Sequence, residues 1–329
     1  MSNLYPFLLR PEFVERPWGA RDLAPIYPDH RCEKPVGEVW LTGDENRVLN
    51  GPLAGRTLGE LCREFGRALV GESACETERF PLLIKFLFPR EKLSVQVHPD
   101  DEAARRAGQP CGKTECWYVL AADPGAQVAL GLKPGVTREQ LAQAIHEVRA
   151  EELLNWVDIH AGEMIYVDAG TVHTIGPGSI LVETQQNSDT TYRLYDYGRP
   201  REIHVEQGLA ATRERTRAGK VKASGNGELE SLVSSTCFCV NRYHPQDKHL
   251  FSRSNEGPHC WRTVEIVLGL AGRGALEADG SPPVTFGAGD VVVVPASISS
   301  WLIEPQGPME ALSMFLPPLG TTVEPETTL

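Results

Sequence analysis

The chain has 329 residues, with 32 Lys and Arg against 44 Asp and Glu, a formal charge of −12. At roughly 150 residues per domain this length holds about two domains, and 41% hydrophobic with 23% charged residues is an ordinary globular composition. No apolar run reaches the ~18 residues of a membrane-spanning helix, and the start reads without the basic and apolar regions of a secretory signal. The acidic balance excludes bulk attraction to nucleic acid or to an anionic membrane. The eight cysteines are scattered without a C-x-x-C pair, which reads as reduced thiols in the cytoplasm.

The first element in chain order is a helix over residues 57–66, where Thr57 and Glu60 form a capping box. Strands follow at 81–88 and 92–98, and a Pro-Asp turn opens a short helix over 100–107. Strands at 115–121 and 126–132 lead to a second capping box at Thr137 and Gln140, with apolar spacing at Leu141, Ile145 and Val148. A further short helix is expected over 150–157, so residues 132–158 read as a helical insertion in a β chain. Strands return at 163–169 and 179–185. Residues 212–230 are polar, basic and then Gly/Ser-rich, which reads as a linker. Four more strands follow, at 237–243, 263–272, 290–296 and 299–305, and the polar tail over 320–329 is expected to fray. Many short strands between turn formers predict a mainly β chain built as sandwiches or barrels.

Three segments carry chemistry. Along a strand, Ser94, Gln96 and His98 share one face while Leu93, Val95 and Val97 share the other. A polar face of this kind fits either a solvated sheet or an inward-facing metal and substrate site. Lys113 and Glu115 share a face with Trp117, and Glu115 is either an oxygen ligand or a solvated carboxylate. The third segment, from Gly162 through Asp168 and Gly170 to His173, reads G-x5-D-x-G-x2-H. It resembles the second signature motif of the cupins, with Asp168 in place of the usual Pro. Together Gln96, His98, Glu115 and His173 offer one amide oxygen, two imidazoles and one carboxylate, a set that suits Zn2+ and other first-row divalent ions.

Gln96 where cupins usually carry His, and the long gap from His98 to Glu115, are features of one family. Over nearly its whole length the chain resembles the type I mannose-6-phosphate isomerases, in their short bacterial form. The resemblance rests on Trp18-Gly19, on Gly37-Glu38-Val39-Trp40, on Lys85 within residues 83–87, and on residues 94–100, 112–118 and 170–173. The most specific block spans residues 181–199.

That resemblance implies two cupin barrels. Residues 1–225 would form a catalytic metal-binding domain with the insertion near 132–158, and residues 226–329 a degenerate one. From Gly289 the second half repeats the motif, but Ser297 and Ser300 stand where Gly and His are expected, so no metal is anticipated there. The implied reaction interconverts mannose 6-phosphate and fructose 6-phosphate through a cis-enediol, with one Zn2+ on Gln96, His98, Glu115 and His173. Arg193 would stabilise the developing charge. The base would be Glu183 or Asp189, with Glu183 preferred because it faces away from Val182. Ser94 and Lys113 would contact the sugar phosphate, and Lys85 either joins them or pairs with Glu38. His204 alternates with its apolar neighbours Ile203 and Val205 as a residue lining a groove would, and is not assigned a role. A different cupin enzyme such as a metal oxygenase, and a non-catalytic sugar-binding module, are the competing readings. The sequence leaves open whether the chain is a monomer or a homo-oligomer.

Overall fold

The computed structural model describes residues 4–225, 227–253, 262–278 and 280–329. Its strands form four sheets, of eight, five, seven and four strands. The eight- and five-stranded sheets face each other as one barrel, and the seven- and four-stranded sheets as another, consistent with two cupin folds. Every strand expected from the sequence is present. In the first half these include Leu82–Leu87, Val95–Val97, Glu115–Ala122, Gln127–Leu132, Met164–Val167 and Ser179–Gln186. In the second they are Cys239–Tyr243, Glu265–Ala271, Val291–Val294 and Ser300–Pro305.

Period-2 alternation explains how the barrels meet. Both faces of the central strands of the eight-stranded sheet are buried. Leu87, Trp117, Val119, Ile165 and Leu181 point into the first barrel. Their neighbours Phe86, Cys116, Tyr118, Met164, Tyr166 and Val182 point outward and share one core with Ile266, Leu268, Val293, Leu312 and Met314 of the seven-stranded sheet. The two barrels therefore stand back to back across a single apolar layer.

A division of the chain near residue 225 is crossed in both directions. The N-terminal strand Phe7–Leu9 pairs with Val291–Val294 at the edge of the seven-stranded sheet. The tail strand Thr327–Thr328 adds to Gly219–Val221 at the edge of the eight-stranded sheet. The tail is thus tied down rather than frayed, and Glu324 accepts hydrogen bonds from Tyr166 and Thr236 at 2.8 Å each. The stretch read as a linker also differs. Gly219–Val221 pairs with Met164–Val167, and Ser224–Gly225 pairs with Leu229–Ser234, so much of its backbone is in sheet; Asn226 lies outside the described residues.

The helices Leu58–Phe65, Asp101–Arg106 and Arg138–His146 form as expected, the first and third with complete capping boxes. The helix expected over 150–157 is instead one 3-10 turn, Ala150–Leu153, followed by the strand Leu154–Asp158. That strand pairs with Gln127–Leu132. Its alternating Leu154, Trp156 and Asp158 suit a sheet edge better than a helix, so the insertion is a β-hairpin whose connection carries a helix. Helix Arg138–His146 covers the outer face of the five-stranded sheet, where Val95, Val97, Leu141, Leu154 and Leu194 form one cluster.

The Trp18-Gly19 and Gly37-Glu38 motifs are explained by a close crossing of backbones. A Cβ on Gly19 would lie 2.3 Å from the Val36 carbonyl carbon, and one on Gly37 would lie 2.5 Å from Arg16 Cβ. Only glycine permits that approach. The seven described cysteines are all free, and Cys260 lies outside the described residues.

Because Phe7 is fully buried in the layer between the barrels, Phe7→Ala should destabilise the protein by about 3–5 kcal/mol. Chemical denaturation checks this; a loss below ~1 kcal/mol would mean that the N-terminal strand contributes little to the joint core.

Candidate active site

The first barrel's two sheets bring the chemical residues face to face. The five-stranded sheet supplies Gln96, His173 and Arg193, with His98 directly after its strand Val95–Val97, and the eight-stranded sheet supplies Lys85, Glu115 and Glu183. Register aligns them. His173 and Arg193 both lie opposite Gln96, one on either side of the strand Val95–Val97. On the facing sheet Glu183 lies between Lys85 and Trp117, and Gln185 lies opposite Glu115. Cross-strand partners share a face, so one register places a whole row of side chains inside the barrel.

The metal motif has the expected geometry. Gly162 and Gly170, with φ of +88° and +89°, bracket the strand Met164–Val167, and the turn delivers His173 into the other sheet. Asp168, at the usual Pro position, accepts from the Thr171 hydroxyl at 2.9 Å and from the Arg217 amide at 3.0 Å. The carboxylate thereby holds the turn that a proline ring would otherwise stiffen.

His98, Glu115 and His173 are all buried, and their ligand atoms lie within 4.8 Å of one another. His98 Nδ1 is 2.9 Å from the Thr190 carbonyl, and His173 Nδ1 is 2.9 Å from the Thr171 carbonyl. A carbonyl only accepts, so each Nδ1 carries the proton and each Nε2 presents a lone pair inward. Those lone pairs sit 3.4 and 3.3 Å from the two Glu115 oxygens. Acceptors this close, with no proton between them, call for a cation. Lys113 Nζ supplies one side, 2.6 Å from Glu115 Oε2 and 3.1 Å from His98 Nε2. Glu115 Oε1 is buried without any hydrogen-bond donor. That orphaned oxygen, 3.3 Å from the His173 Nε2 lone pair and clustered with the buried His98 ring, fits a divalent metal site. Gln96 lies beside it but directs its NH2 to His173 Nε2 at 3.2 Å, while its oxygen accepts from Ser94 at 3.1 Å. A turn of the amide by 180° exchanges the two atoms.

Protonation states follow from burial. Desolvation, with Lys113 adding to it, pushes His98 down to about 3, so its ring is neutral and free to ligate. His173 is lowered for the same leading reason. Burial alone would raise Glu115, but the Lys113 ammonium beside it outweighs that and holds the carboxyl well below its usual range. Burial raises Glu183; Lys113 and Lys85 pull against it, and Glu115 and Glu38 push with it.

A cavity of about 470 Å3 opens onto these groups, lined by Ser94, Gln96, Lys113, Glu115, Glu183, Asp189 and Arg193 among others. Glu183 is buried in its wall, accepting from Trp117 Nε1 at 3.2 Å, whereas Asp189 is exposed at its rim. Arg193 is half-buried, donates to the Glu202 carbonyl at 2.8 Å, and keeps a buried Nε without a partner. Lys85 makes the expected pair with Glu38 from a place in the cavity wall. It lies 3.7 Å from Glu38 and 3.5 Å from Glu183, so it joins the core ion pair and lines the cavity at once. Arg16, Trp18 and His204 also line the cavity; alternation marks His204 as a residue that can line a groove, Trp18 belongs to a family motif, and Arg16 carries no signal in the sequence. Arg16 reaches the site from a strand far away in sequence, through a bidentate pair with Glu38 at 2.9 and 3.1 Å. A separate cavity of about 270 Å3 lies inside the second barrel among Tyr243, Phe251, Glu265 and Trp301. Among the described residues, only the first barrel gathers a His–carboxylate cluster able to hold a metal.

Residues 7–126 match a family model described as phosphomannose isomerase type I, catalytic domain. A mannose-6-phosphate isomerase of Streptococcus mutans is 35% identical over 309 residues, which is 90% of this chain and 94% of that protein. The crystal structure of mannose 6-phosphate isomerase from Bacillus subtilis aligns with a TM-score of 0.82 at 29% identity, covering 94% of this chain and 99% of that one. A zinc-bound mannose 6-phosphate isomerase shares the fold, with a TM-score of 0.76 at 16% identity over 95% of this chain and 99% of that one.

Removing one imidazole from the cluster leaves too few donors for a stable site. His173→Ala should therefore purify without stoichiometric metal while keeping the wild-type circular dichroism spectrum. Elemental analysis showing one bound metal per chain would remove His173 from the ligand set.

Proposed function

This chain belongs to the type I phosphomannose isomerase family, and on that premise we propose that its first barrel interconverts mannose 6-phosphate and fructose 6-phosphate at a single zinc site. The observation that carries the reading is the orphaned Glu115 oxygen in one buried cluster with two imidazole lone pairs, beside a cavity that also holds a buried carboxylate and a buried guanidinium nitrogen without a partner.

Two imidazole nitrogens, a carboxylate and an adjacent amide are borderline donors that favour Zn2+. His98, Glu115 and His173 would hold the ion, with Gln96 as the fourth ligand. Zinc there supplies a Lewis acid for the negative charge that grows on the sugar oxygens O1 and O2.

The remaining chemistry belongs to side chains of this chain. Glu183 takes the proton from C2 of the opened sugar and returns it at C1, while the hydroxyl proton moves from O2 to O1. The intermediate is a cis-enediol. Burial suits Glu183 to this task, because a carboxyl raised above its usual range is a stronger base once ionised. Asp189, exposed at the rim, is less suited. Arg193 places a fixed positive charge and an unpaired N–H donor beside the enediol. Lys113, in contact with both Glu115 and His98, keeps the carboxylate ionised and, with Ser94, orients the substrate. Its depth in the site argues for contact with the sugar end rather than with the phosphate.

The same reading divides the chain into a catalytic domain over 1–225 and a metal-free second cupin domain over 226–329, tied together by their exchanged strands. The partner is a small sugar phosphate, and the enzyme works in the cytoplasm. No described helix is long and apolar enough to cross a membrane.

A coupled assay for fructose 6-phosphate tests the function directly. Activity should disappear on chelation and return with Zn2+; a folded, metal-loaded protein without activity on mannose 6-phosphate would overturn the assignment. The base is tested by pH. Since Glu183 must be ionised to act and its carboxyl is raised above 4.5, kcat/KM should fall with acid at a pH above the ordinary glutamate range. Glu183→Gln should lower kcat by about 10²–10⁴-fold, while Asp189→Asn should leave most of it. The opposite ranking would transfer the role to Asp189.

A further inference from the structure

The strand Tyr192–Tyr195 is the outer edge of the five-stranded sheet, so one side of its backbone has no strand neighbour. Arg193 lies directly opposite Gln96, yet both of its backbone polar groups turn to the open edge, where His204 takes them. The His204 amide donates to the Arg193 carbonyl at 2.7 Å, and the Arg193 amide donates to His204 Nδ1 at 3.2 Å. The imidazole thus completes a ladder rung that a further strand would otherwise supply. An antiparallel pair whose N–H and C=O point away from each other brings its side chains closest, which sets the Arg193 side chain beside Gln96 at the metal cluster.

The local sequence holds His204 to this task. It occupies the N-cap of the helix Val205–Ala211, but its side chain does not cap that helix. The helix packs on the Arg193 strand through Gly208, where a Cβ would lie 2.4 Å from Leu194 Cδ2. Two residues before His204, the Glu202 carbonyl accepts from Arg193 Nη1 at 2.8 Å. One short segment therefore grips both the backbone and the guanidinium of Arg193. The imidazole itself lines the substrate cavity and is only half-buried.

We propose that His204 is a positioning residue for Arg193: its Nδ1 lone pair, by accepting the Arg193 amide, fixes the register of the edge strand and hence the placement of the guanidinium. This rests on the reading that Arg193 stabilises the enediol. A group that acts only through Arg193 affects the step in which charge develops, so its loss lowers kcat more than it raises KM. Asparagine can place Oδ1 where Nδ1 stands, whereas glutamine reaches to the Nε2 position and alanine offers no acceptor.

The test compares His204→Ala, His204→Asn, His204→Gln and Arg193→Ala as metal-loaded full-length enzymes. His204→Ala should keep its bound zinc and lose about tenfold or more in kcat, with KM within about twofold, as expected for a misplaced charge. His204→Asn should recover most of kcat and His204→Gln should not. Wild-type turnover in His204→Ala, an Asn variant no better than Ala, or a Gln variant as good as Asn would each overturn the proposal. Arg193→Ala separates the two levels. If it turns over normally, the role of Arg193 itself fails; if it is impaired while His204→Ala is not, only the positioning role fails.

Discussion

Charge in a dry interior has to be paired, and the first barrel is organised around that requirement. Arg16 meets Glu38, Glu38 lies 3.7 Å from Lys85, and Lys85 lies 3.5 Å from Glu183. Glu183 is 3.9 Å from Lys113, which in turn is 2.6 Å from Glu115. The signs alternate from the barrel mouth to the metal cluster. Each inner member is held by a neighbour of opposite sign on either side, and removing one would leave its neighbours with a single partner each. Burial alone would raise Glu38, yet Lys85, Arg16 and the Trp40 indole hold it at about 2. For Glu183 burial prevails over the two lysines, with Glu115 and Glu38 adding to it, and its carboxyl is moved the other way. Two carboxylates on one sheet are thereby given opposite characters, one a fixed counter-ion and the other a group able to exchange a proton.

The scaffold makes this chain of charges possible by burying both faces of one sheet. The eight-stranded sheet turns its charged row inward, while its other face joins the second barrel in one apolar layer. The second barrel is thus a wall of the first, and the exchanged terminal strands fasten the wall at both ends. Loops alone would not hold Lys85, Trp117 and Glu183 in a single row; paired strands do, because a slip of one residue would turn every one of them to the wrong face.

Much of this was legible from the residues. Alternation separated Gln96 and His98 from Val95 and Val97, and the glycine spacing before His173 marked the turn that carries it. Strand positions followed from short apolar runs between turn formers, and capping boxes marked two helices. Residues 150–157 were misread because a short amphipathic stretch fits a helix or a strand equally well; pairing with Gln127–Leu132 settled the matter. The tail and the supposed linker were misread for a related reason. A polar strand at a sheet edge has no apolar pattern, and its order comes from a partner distant in the chain. Arg16 had no readable signal, and alternation marked His204 only as a residue that can line a groove; each enters the site through a contact with a residue that its own neighbours do not reveal.

The sequence by itself determined the residue types that chemistry requires, their side of each strand, and the family to which their order points. Those properties are local, set by periodicity, glycine conformation and donor chemistry. Only the tertiary structure decided which groups meet. It set Glu183 in the wall and Asp189 at the rim, made Lys85 a bridge between two carboxylates, and brought His204 to the open edge beside Arg193. Such outcomes depend on register between strands and on the exclusion of water, and neither is a property of any short segment of the chain.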